Sequence, residues 1–369
     1  IAAGGLNFRG KHGRDQRQAM STLGTQGHLA VLIGVAGSGK TTLLTPLVHA
    51  WAQSGHTVWG TAVAWRQADD LVGAGIAQNR LVATHPLLCG IKNGNIRLDS
   101  QSVLIVDELS LLSTVQLLAL LRAQAMTGCR LVMIGDARQC QSVDAGPTVG
   151  LLQRALGKEK IPELLSSVRQ QTETERATAL LFRHGGALEA LRRKFEDGSL
   201  LFAEGDDHQV AEHIADLWLQ RHIVLKKETQ NTLTVSAPTN ADARMIASVI
   251  RDRRRSIGEL DKDLVILKAM DQHGTPYDLP LARGDRVRLF KRTNAKRDDG
   301  KRGIIGNNGS VLEVLDYRHG GLYLRNSHGT CGWVDLETLA SPQDDRVLLG
   351  YGDVLTIDAS QGLTSTEHI

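Results

Sequence analysis

The chain has 369 residues, of which 41% are hydrophobic and 22% are charged, and this balance predicts two or three globular domains with an ample core. No apolar run is long enough to cross a bilayer and no secretory signal is visible at the start, so we expect neither membrane insertion nor export. The net charge of +3 indicates no partner by itself, and the four scattered cysteines lack the paired spacing of a metal site, which favours reduced thiols in a cytosol.

The chain opens on a polar, glycine-rich stretch, in which residues 15–20 are predicted to begin a short helix capped by Asp15. Gln16 lies in this helix, shortly before a glycine-rich loop. A glutamine in such a position can read adenine, because its amide both donates to and accepts from the base. A glutamine on an exposed helix face, without a ligand, is the alternative.

The strongest motif is the octapeptide at residues 34–41, which reads G-x-x-x-x-G-K-T. It follows an apolar run that predicts a buried strand, and it precedes a segment with helical periodicity. The glycines let backbone N–H groups hold phosphate oxygens, and the helix N-terminus adds partial positive charge. Lys40 is expected to reach the β- and γ-phosphates, and the Thr41 hydroxyl to bind Mg²⁺. The residues predicted to bind the nucleotide are Gln16, Gly34, Gly37, Ser38, Gly39, Lys40, Thr41 and Thr42.

A second strand is predicted at residues 57–63, and Trp65 and Arg66 follow it where the chain turns into a helix. An aromatic ring beside an arginine suits single-stranded nucleic acid, since bases stack on the ring and phosphates contact the guanidinium. A buried tryptophan beside a solvated arginine is equally consistent with the sequence.

Two carboxylates end the next apolar strand, at residues 102–108. In a phosphate-loop protein Asp107 would bind Mg²⁺ through water, and Glu108 would orient or deprotonate the attacking water. A further strand at 130–136 leads to Gln139, which is placed to contact the γ-phosphate at the sheet edge where ligands bind. Because these strands alternate with helices, we predict a parallel sheet with helices on both faces.

A second domain is predicted to begin near residues 164–171, where Arg169 is either an arginine finger or part of a surface salt bridge. Helices are predicted over 174–220, and residues 231–240 predict the first strand of a second parallel sheet. The arginines expected on the solvated face of the following helix are Arg251, Arg253, Arg254 and Arg255.

Short strands separated by glycine turns between residues 283 and 340 predict a small antiparallel barrel inserted in the second domain. Nine Lys or Arg against three Asp between residues 283 and 302 make the densest positive patch of the chain. This patch is either a phosphate-backbone contact or a solvated hairpin tip. The last segment, 354–364, predicts a parallel strand followed by a polar loop.

Taken in order, these motifs resemble those of a superfamily 1 helicase of the RecD-like branch, over nearly the whole chain. The resemblance makes residue 16 the adenine-reading glutamine and makes the inserted barrel SH3-like. The catalytic residues that it implies are Lys40, Asp107, Glu108, Gln139 and the finger Arg169, with Thr41 and Asp107 holding Mg²⁺. The DNA contacts that it implies, together with the aromatic and arginine pair, are Thr61, Trp65, Arg66, Thr239, Thr356, Ser360, Gln361 and Thr364.

More narrowly, residues 64–71, 284–290, 305–309 and 357–366 resemble MobF-type conjugative relaxase-helicases. The resemblance implies ATP-driven 5′-to-3′ unwinding of plasmid DNA, a bacterial cytoplasmic location, and relaxosome and type IV secretion components as partners. The sequence shows no paired tyrosines near its start and no His-x-His cluster, so we expect only the helicase part of such a protein.

These motifs predict an N-terminal RecA-like ATPase domain at 1–167, a second RecA-like domain at 168–283 and 341–369, and the SH3-like barrel at 284–340. The resemblance places ATP between the two RecA-like domains. Cys140-Gln141 stand where many relatives carry Leu-Pro, and the chain stops before the sixth motif with its second arginine finger. We therefore expect a piece of a longer protein. The alternatives are a single-strand-binding scaffold without turnover and a repair helicase of the same branch.

Overall fold

The structure is a computed structural model that describes residues 6, 8–25, 27–35, 37–136, 138–139, 146–166, 172–226, 232–360, 363 and 365–369. The chain divides into two compact units, Ile1–Leu201 and Phe202–Ile369. The division falls later than the predicted start of a second domain at residue 168. Within the described ranges, no helix has the length and the apolar character needed to cross a membrane.

Helices and strands alternate in the first unit. In chain order they are α1 Gly10–Thr25, β1 Leu29–Gly34, α2 Lys40–Gln53, β2 Thr57–Ala62, α3 Trp65–Asp70, β3 Leu81–Ala83, α4 Thr84–Lys92, β4 Ser102–Val106, α5 Thr114–Thr127, β5 Arg130–Gly135, α6 Thr148–Leu156, β6 Glu163–Leu164, α7 Glu173–Arg183 and α8 Ala187–Glu196. Helix α1 therefore begins at Gly10, one and a half turns before the predicted start at Asp15.

The six strands of this unit form one parallel sheet in the order β3-β2-β4-β5-β1-β6. Successive residues of a strand point to opposite faces, and here both faces are covered. In β4, Val103 and Ile105 pack in a core with α1 and α2. The intervening Leu104 and Val106 pack with α4, α5 and α6 on the other face. Burial of each such side chain stabilises the unit by about 1.5–3 kcal/mol, and the predicted parallel sheet with helices on both faces is confirmed.

The second unit combines a parallel core with antiparallel strands. Its elements are α9 Asp207–Leu225, β7 Leu233–Ala237, α10 Asn240–Ser256, β8 Asp263–Met270, β9 Pro276–Ala282, β10 Arg286–Leu289, β11 Thr293–Lys296, β12 Arg302–Gly306, β13 Val311–Arg318, β14 Gly321–Arg325, β15 Cys331–Asp335, α11 Leu336–Leu339, β16 Ala340–Ser341, β17 Asp344–Val347, β18 Leu349–Tyr351, β19 Val354–Thr356, α12 Ile357–Ser360 and β20 Glu367–His368.

Strand β7 lies between β19 and β20 in a parallel sheet that packs on α9 and α10, and the sequence predicted parallel strands in both 231–240 and 354–364. A seven-stranded sheet has the order β12-β11-β15-β14-β13-β10-β18 with antiparallel pairing throughout, and a four-stranded sheet has the order β16-β17-β8-β9. These two sheets span Asp263–Tyr351, beyond the predicted limits of 284 and 340 on both sides, and every pair in them is antiparallel except β8 with β17.

Two arginines of α10 join the parallel core of the second unit to its antiparallel strands, and this corrects the prediction of a solvated arginine face. Arg251 is 4% exposed, and its Nε donates to both carboxylate oxygens of the buried Asp285 at 2.9 and 3.0 Å. Arg254 is 9% exposed and donates to the Gly284 carbonyl at 2.8 Å and to Asp353 at 3.2 Å. A run of arginines on a helix is solvent-exposed only when no carboxylate from another element packs against it, since a buried arginine needs such a partner.

Candidate active site and nucleic-acid interface

The phosphate loop follows β1 directly and ends where α2 begins at Lys40. Gly37 and Gly39 have φ values of +70° and +81°, which glycine adopts without the strain that a side chain would cause. Gly39 is the N-cap of α2, so the first turn of the helix faces the loop. The Lys40 ammonium folds back over this loop and donates to the Gly34 carbonyl at 3.0 Å.

The loop is shaped as a cradle that fits a phosphate group. A Cβ atom added to Gly34 would lie 2.9 Å from the Lys40 side chain and 2.9 Å from Ser38 Oγ, so only glycine fits at this position. Ser38 Oγ is buried and has no hydrogen-bond partner among the described residues. A buried hydroxyl without a partner costs about 1–3 kcal/mol, and a bound anion would remove that cost. The predicted nucleotide residues therefore fit the phosphates of ATP.

Three further predicted nucleotide residues lie beside this loop. Thr41 and Thr42 are exposed in the first turn of α2, where the amide groups of a helix have no internal acceptors. Gln16 on α1 is 6% exposed, and its Nε2 lies 3.2 Å from the position that a Cβ atom on Gly39 would take. The structure thus brings Gln16 against the loop, although it lies 18 positions before Gly34 in the chain.

Asp107 lies at the carboxyl end of β4, and its backbone N–H donates to the Thr61 carbonyl of β2 at 2.9 Å. Desolvation raises the pKa of the Asp107 carboxyl, while the Lys40 ammonium and the Glu108 amide, which donates to Oδ1 at 2.9 Å, lower it. The structure therefore places Asp107 and Lys40 close enough for their charges to interact. A carboxylate and a threonine hydroxyl are oxygen donors of the kind that Mg²⁺ binds.

No group of three or more His, Cys, Asp and Glu side chains in the described part of the chain could hold a metal ion by itself. A magnesium site built from Thr41 and Asp107 supplies two protein oxygens, and the substrate phosphates and water must supply the others. This is the usual arrangement for Mg²⁺, which keeps several waters and is held by few protein ligands.

Glu108 stands in a left-handed conformation, with φ +51° and ψ +47°. Left-handed backbone costs a non-glycine residue about 1–2 kcal/mol, and such strain clusters at functional sites. Two contacts hold the turn Leu109–Leu111 that follows. Thr148 Oγ1 donates to the Leu109 carbonyl at 2.9 Å, and a Cβ atom on Gly135 would lie 2.8 Å from Leu109 Cβ. The surrounding structure thus forces Glu108 into a position that its own backbone disfavours.

This strain gives a stability prediction. We expect Glu108→Gly to be more stable than Glu108→Ala by about 0.5–1 kcal/mol, because glycine escapes the left-handed penalty and loses only part of that gain as unfolded-state entropy. Urea unfolding of the two variants measures the difference. The matched control is exposed Arg122 in α5, where the order reverses and Ala is more stable than Gly by about 1 kcal/mol. The same order at both positions would contradict the strain at Glu108.

Gln139 follows β5 in a short turn, where its N–H donates to the Asp136 carbonyl at 3.3 Å. Asp136 is 1% exposed and accepts both guanidinium N–H groups of Arg183 at 2.9 Å. It also accepts the backbone N–H of Arg138 at 3.1 Å, and the Arg138 guanidinium donates to the Arg183 carbonyl. Arg183, the last residue of α7, is therefore a positioning residue for the turn that carries Gln139, and the sequence analysis missed it.

Of the three residues predicted to contact DNA in the first unit, one is buried and two are accessible. Thr61 is 0% exposed, and its hydroxyl pairs with that of Thr84 at 3.2 Å, so a direct DNA contact by Thr61 is corrected to a role inside the sheet. Trp65 and Arg66 begin α3 and are half-buried. Burial lowers the pKa of the Arg66 guanidinium, although Asp70 one turn later opposes this.

Asp70 is a second residue that the sequence analysis missed. Desolvation raises the pKa of its carboxyl, Arg66 lowers it, and the Asp107 charge raises it further. Gly73, just after α3, faces Thr41 of α2, since a Cβ atom there would lie 3.7 Å from Thr41 Cγ2. Helix α3 and the turn after it therefore connect the aromatic and arginine pair to Thr41 within one unit.

Thr239, Thr356 and Ser360 lie at one edge of the parallel sheet of the second unit. Thr356 is in register with Ala237, and Thr239 follows two residues later, so both threonines lie at the carboxyl ends of paired strands. The Thr239 hydroxyl caps α10, donating to Asp242 Oδ2 at 2.7 Å and accepting its N–H at 3.1 Å. Thr356 Oγ1 accepts the Ala359 N–H at 3.4 Å, and Ser360 is 8% exposed.

Arg169, Gln361 and Thr364 lie outside the described residues, so their predicted roles stay predictions. The predicted positive patch lies on the seven-stranded sheet, where residues 297–301 form the exposed tip of the β11–β12 hairpin. Arg288 does not belong to the exposed patch, because it is 8% exposed. Contact of this hairpin with phosphates, rather than with solvent alone, stays a prediction.

Residues 11–205 match the family model described as "AAA domain". The chain is 27% identical over 252 residues to the conjugal transfer protein TraA of Rhizobium radiobacter, covering 66% of this chain and 22% of TraA. It is 26% identical over 310 residues to the probable conjugal transfer protein TraA of Sinorhizobium fredii (strain NBRC 101917 / NGR234), covering 83% of this chain and 26% of that protein. The chain thus spans about a quarter of the length of these curated relatives.

Among solved structures, the chain resembles the Pif1 helicase from Bacteroides in complex with ADP-AlF3 and ssDNA, with a TM-score of 0.54 and 19% identity over 96% of this chain and 85% of that one. It also resembles the structure of two coordinating Pif1 helicases that describes DNA unwinding at forked dsDNA, with a TM-score of 0.53 and 20% identity over 96% and 84% of the two chains. At these identities the likeness shows a shared fold, the parallel-sheet phosphate-loop fold of these helicases.

Proposed function

The chain belongs to the AAA domain family, and from that premise we propose that it is an ATP-dependent DNA helicase that moves along single-stranded DNA. One observation carries this proposal. Lys40, Asp107 and the buried hydroxyl of Ser38 converge on the phosphate loop, at the carboxyl edge of a parallel sheet. That arrangement suits nucleoside triphosphate hydrolysis, and its place in a helicase-like fold supports coupling to DNA.

In this proposal the phosphate loop and the N-terminus of α2 hold the triphosphate, with Gln16 beside them at the adenine. Lys40 leaves its contact with the Gly34 carbonyl and donates to the phosphates as negative charge develops. Thr41 and Asp107 would hold Mg²⁺, which when bound neutralises charge on the phosphate oxygens. Glu108 orients and deprotonates the attacking water, and its strained backbone fixes the carboxylate after β4.

Gln139 contacts the γ-phosphate in this proposal, and Arg183 fixes the turn that carries it through Asp136. Arg169 acts as the finger, a role that rests on the resemblance alone. The segment 65–73 is proposed to relate hydrolysis to DNA, since α3 carries Trp65 and Arg66 at its start and Gly73, just after its end, faces Thr41. In the second unit the residues proposed to contact the DNA strand are Thr239, Thr356, Ser360, Gln361 and Thr364.

Finer features of the proposal rest on the resemblance and on the curated relatives. Both relatives are named conjugal transfer proteins, which supports the helicase part of a MobF-type relaxase of the RecD-like branch. That assignment implies 5′-to-3′ movement, plasmid DNA as substrate, a bacterial cytoplasmic location, and relaxosome and type IV secretion components as partners. The seven-stranded antiparallel sheet is proposed to be the SH3-like insertion of that branch.

Two measurements test this function. We expect ATP hydrolysis to rise about tenfold when single-stranded oligothymidylate is added, because DNA completes the conformation in which hydrolysis is fast. We expect a duplex with a 5′ single-stranded tail to be unwound and one with a 3′ tail to remain paired. Binding of the oligonucleotide without any ATP turnover would instead identify a scaffold, and unwinding of the 3′-tailed duplex alone would contradict the proposed direction.

A further inference from the structure

A turn of three residues, Leu109–Leu111, follows Glu108 and leads toward α5. Ser110 is the middle residue of this turn, and the sequence motifs gave it no role. It is 4% exposed, and its Oγ atom is buried and has no hydrogen-bond partner among the described residues. A buried hydroxyl normally has a partner, because burial removes the water that would otherwise bond to it. Packing alone therefore does not explain a serine at this position.

The buried hydroxyl groups of the first unit fall into two sets. Those with a hydrogen-bond partner belong to Thr61, Thr84, Ser102, Ser113 and Thr148. Those without one among the described residues belong to Ser38, Ser110 and Thr178. Ser38 lies in the phosphate loop and Ser110 lies two residues after Glu108, whereas Thr178 lies within α7. Two of the three unsatisfied hydroxyls thus lie in loops that carry predicted catalytic residues.

The backbone around Ser110 is held in place from both sides. The Leu111 N–H donates to the Glu108 carbonyl at 2.9 Å, which closes the turn. A Cβ atom on Gly135 would lie 3.2 Å from the Ser110 backbone nitrogen, so the turn packs directly on the end of β5. Leu109, between Glu108 and Ser110, is 0% exposed. Ser110 therefore cannot move away from Glu108 without breaking core contacts.

The Glu108 carboxylate is the charged group that the Ser110 hydroxyl is best placed to serve. Glu108 is the first residue of the closed turn and Ser110 is the third, and a side chain at the first position of a turn can bond to the residue two positions later. The Oε2 atom of Glu108 is buried, where a hydrogen bond is stronger than in water. A carboxylate has about four acceptor sites, so Glu108 can accept this bond in addition to others.

We propose that Ser110 is a positioning residue of the ATPase site, an inference that rests on the proposed function and adds a residue to it. When ATP binds, the Ser110 hydroxyl donates to one oxygen of the Glu108 carboxylate and holds the other oxygen toward the attacking water. Catalytic hydrogen bonds are often absent or long without substrate and form in the substrate complex. Lys40 changes partner in the same way, since it must leave the Gly34 carbonyl to reach the phosphates.

Ser110→Ala tests this role in the whole chain. We expect kcat for ATP hydrolysis with saturating oligothymidylate to fall about tenfold, the effect of losing one hydrogen bond to a charged group. The KM for ATP should stay unchanged, because Ser110 does not contact the nucleotide. The melting temperature is expected to rise by about 2–4 °C, since the variant no longer buries an unsatisfied hydroxyl. A serine that only supports the fold would not give lower activity together with higher stability.

Ser102→Ala is the matched control, because Ser102 is 2% exposed at the start of β4 and its hydroxyl is satisfied. This hydroxyl donates to Asp99 Oδ1 at 2.7 Å and accepts the Asp99 N–H at 3.1 Å. The same substitution is therefore expected to lower the melting temperature by about 2–4 °C and to leave kcat unchanged. Thr178→Val removes the unsatisfied hydroxyl of α7, and it is expected to raise the melting temperature and to leave kcat unchanged.

A cycle of single and double variants shows whether Ser110 acts through Glu108. A Glu108→Ala protein has no carboxylate to hold, so adding Ser110→Ala is expected to lower its residual kcat by less than about twofold. A further loss of about tenfold would mean that the hydroxyl acts on another group, and the inference would be overturned.

The outcomes separate the role of Ser110 from the proposed function. If oligothymidylate stimulates ATP hydrolysis and Ser110→Ala keeps the kcat of the unchanged protein, Ser110 has no positioning role and the proposed function stands. A lower melting temperature of Ser110→Ala would show that the hydroxyl is satisfied within the fold, for example by an internal water, and would also overturn the inference. If the unchanged protein hydrolyses no ATP, both proposals fail.

Discussion

Lys40→Ala is expected to lower DNA-stimulated ATP turnover by about a hundred- to a thousandfold, the usual effect of removing one preorganised donor from a site of developing negative charge. The structure holds this ammonium at 3.0 Å from the carbonyl of Gly34, a position where an added Cβ atom would clash with the Lys40 side chain. The lysine charge also acts on Asp107, so its removal weakens the set of charges that would hold the triphosphate and Mg²⁺ together.

Phosphate release at saturating oligothymidylate measures the effect, and thermal unfolding checks that the variant folds. Among the described residues the variant loses one part-buried hydrogen bond, for which a cost of about 1 kcal/mol is expected. Lys92→Ala, at the exposed end of α4, is the control and should turn over ATP as the unchanged protein does. Turnover retained by a folded Lys40→Ala protein would place the nucleotide site elsewhere in the chain.

The phosphate loop could be predicted from the sequence because its geometry is local. Gly37 and Gly39 adopt positive φ within a single octapeptide, and the strand before it and the helix after it are both visible as apolar patterns. The same holds for Asp107, since a continuous apolar run predicts that β4 is buried and that the residue after it lies at the sheet edge.

Pairs that form across long stretches of chain could not be predicted in the same way. Arg183 and Asp136 are 47 residues apart, and nothing near either residue indicates that the end of α7 packs against the end of β5. The sequence predicted Arg251 and Arg254 to be solvent-exposed, because the carboxylates that pair with them, Asp285 and Asp353, come much later in the chain. Such pairs depend on tertiary packing, which a single sequence does not encode in any short pattern.

Thr61 shows a different kind of error, since the sequence contained the correcting signal. The strand prediction at residues 57–63 already placed Thr61 inside a sheet with helices on both faces, where side chains of inner strands are buried. The structure has β2 between β3 and β4 and the Thr61 hydroxyl bonded to Thr84. Trp65 and Arg66, which follow the strand and are only half-buried, stay predicted DNA contacts.

Glu108→Gln is expected to lower kcat by about a hundred- to ten-thousandfold, the range that general base catalysis contributes. An amide of the same size keeps the contacts of the carboxylate but does not accept a proton from water. The backbone of residue 108 stays left-handed in the variant, because the Thr148–Leu109 hydrogen bond and the close approach of Gly135 hold the following turn. The KM for ATP and the affinity for oligothymidylate should therefore stay unchanged.

A lower kcat with an unchanged KM distinguishes a general base from a residue that only holds the structure. If Glu108 only held the turn Leu109–Leu111 in place, Glu108→Gln would preserve activity and Glu108→Gly would change stability alone. If it is the base, Glu108→Gln and Glu108→Gly lose turnover alike, although the glycine variant relieves the strain at φ +51°. Glu196→Gln, which removes an exposed ion pair with Arg192 on α8, is the matched control and should leave kcat unchanged. Unchanged kcat in Glu108→Gln would transfer the role of base to another group near Asp107.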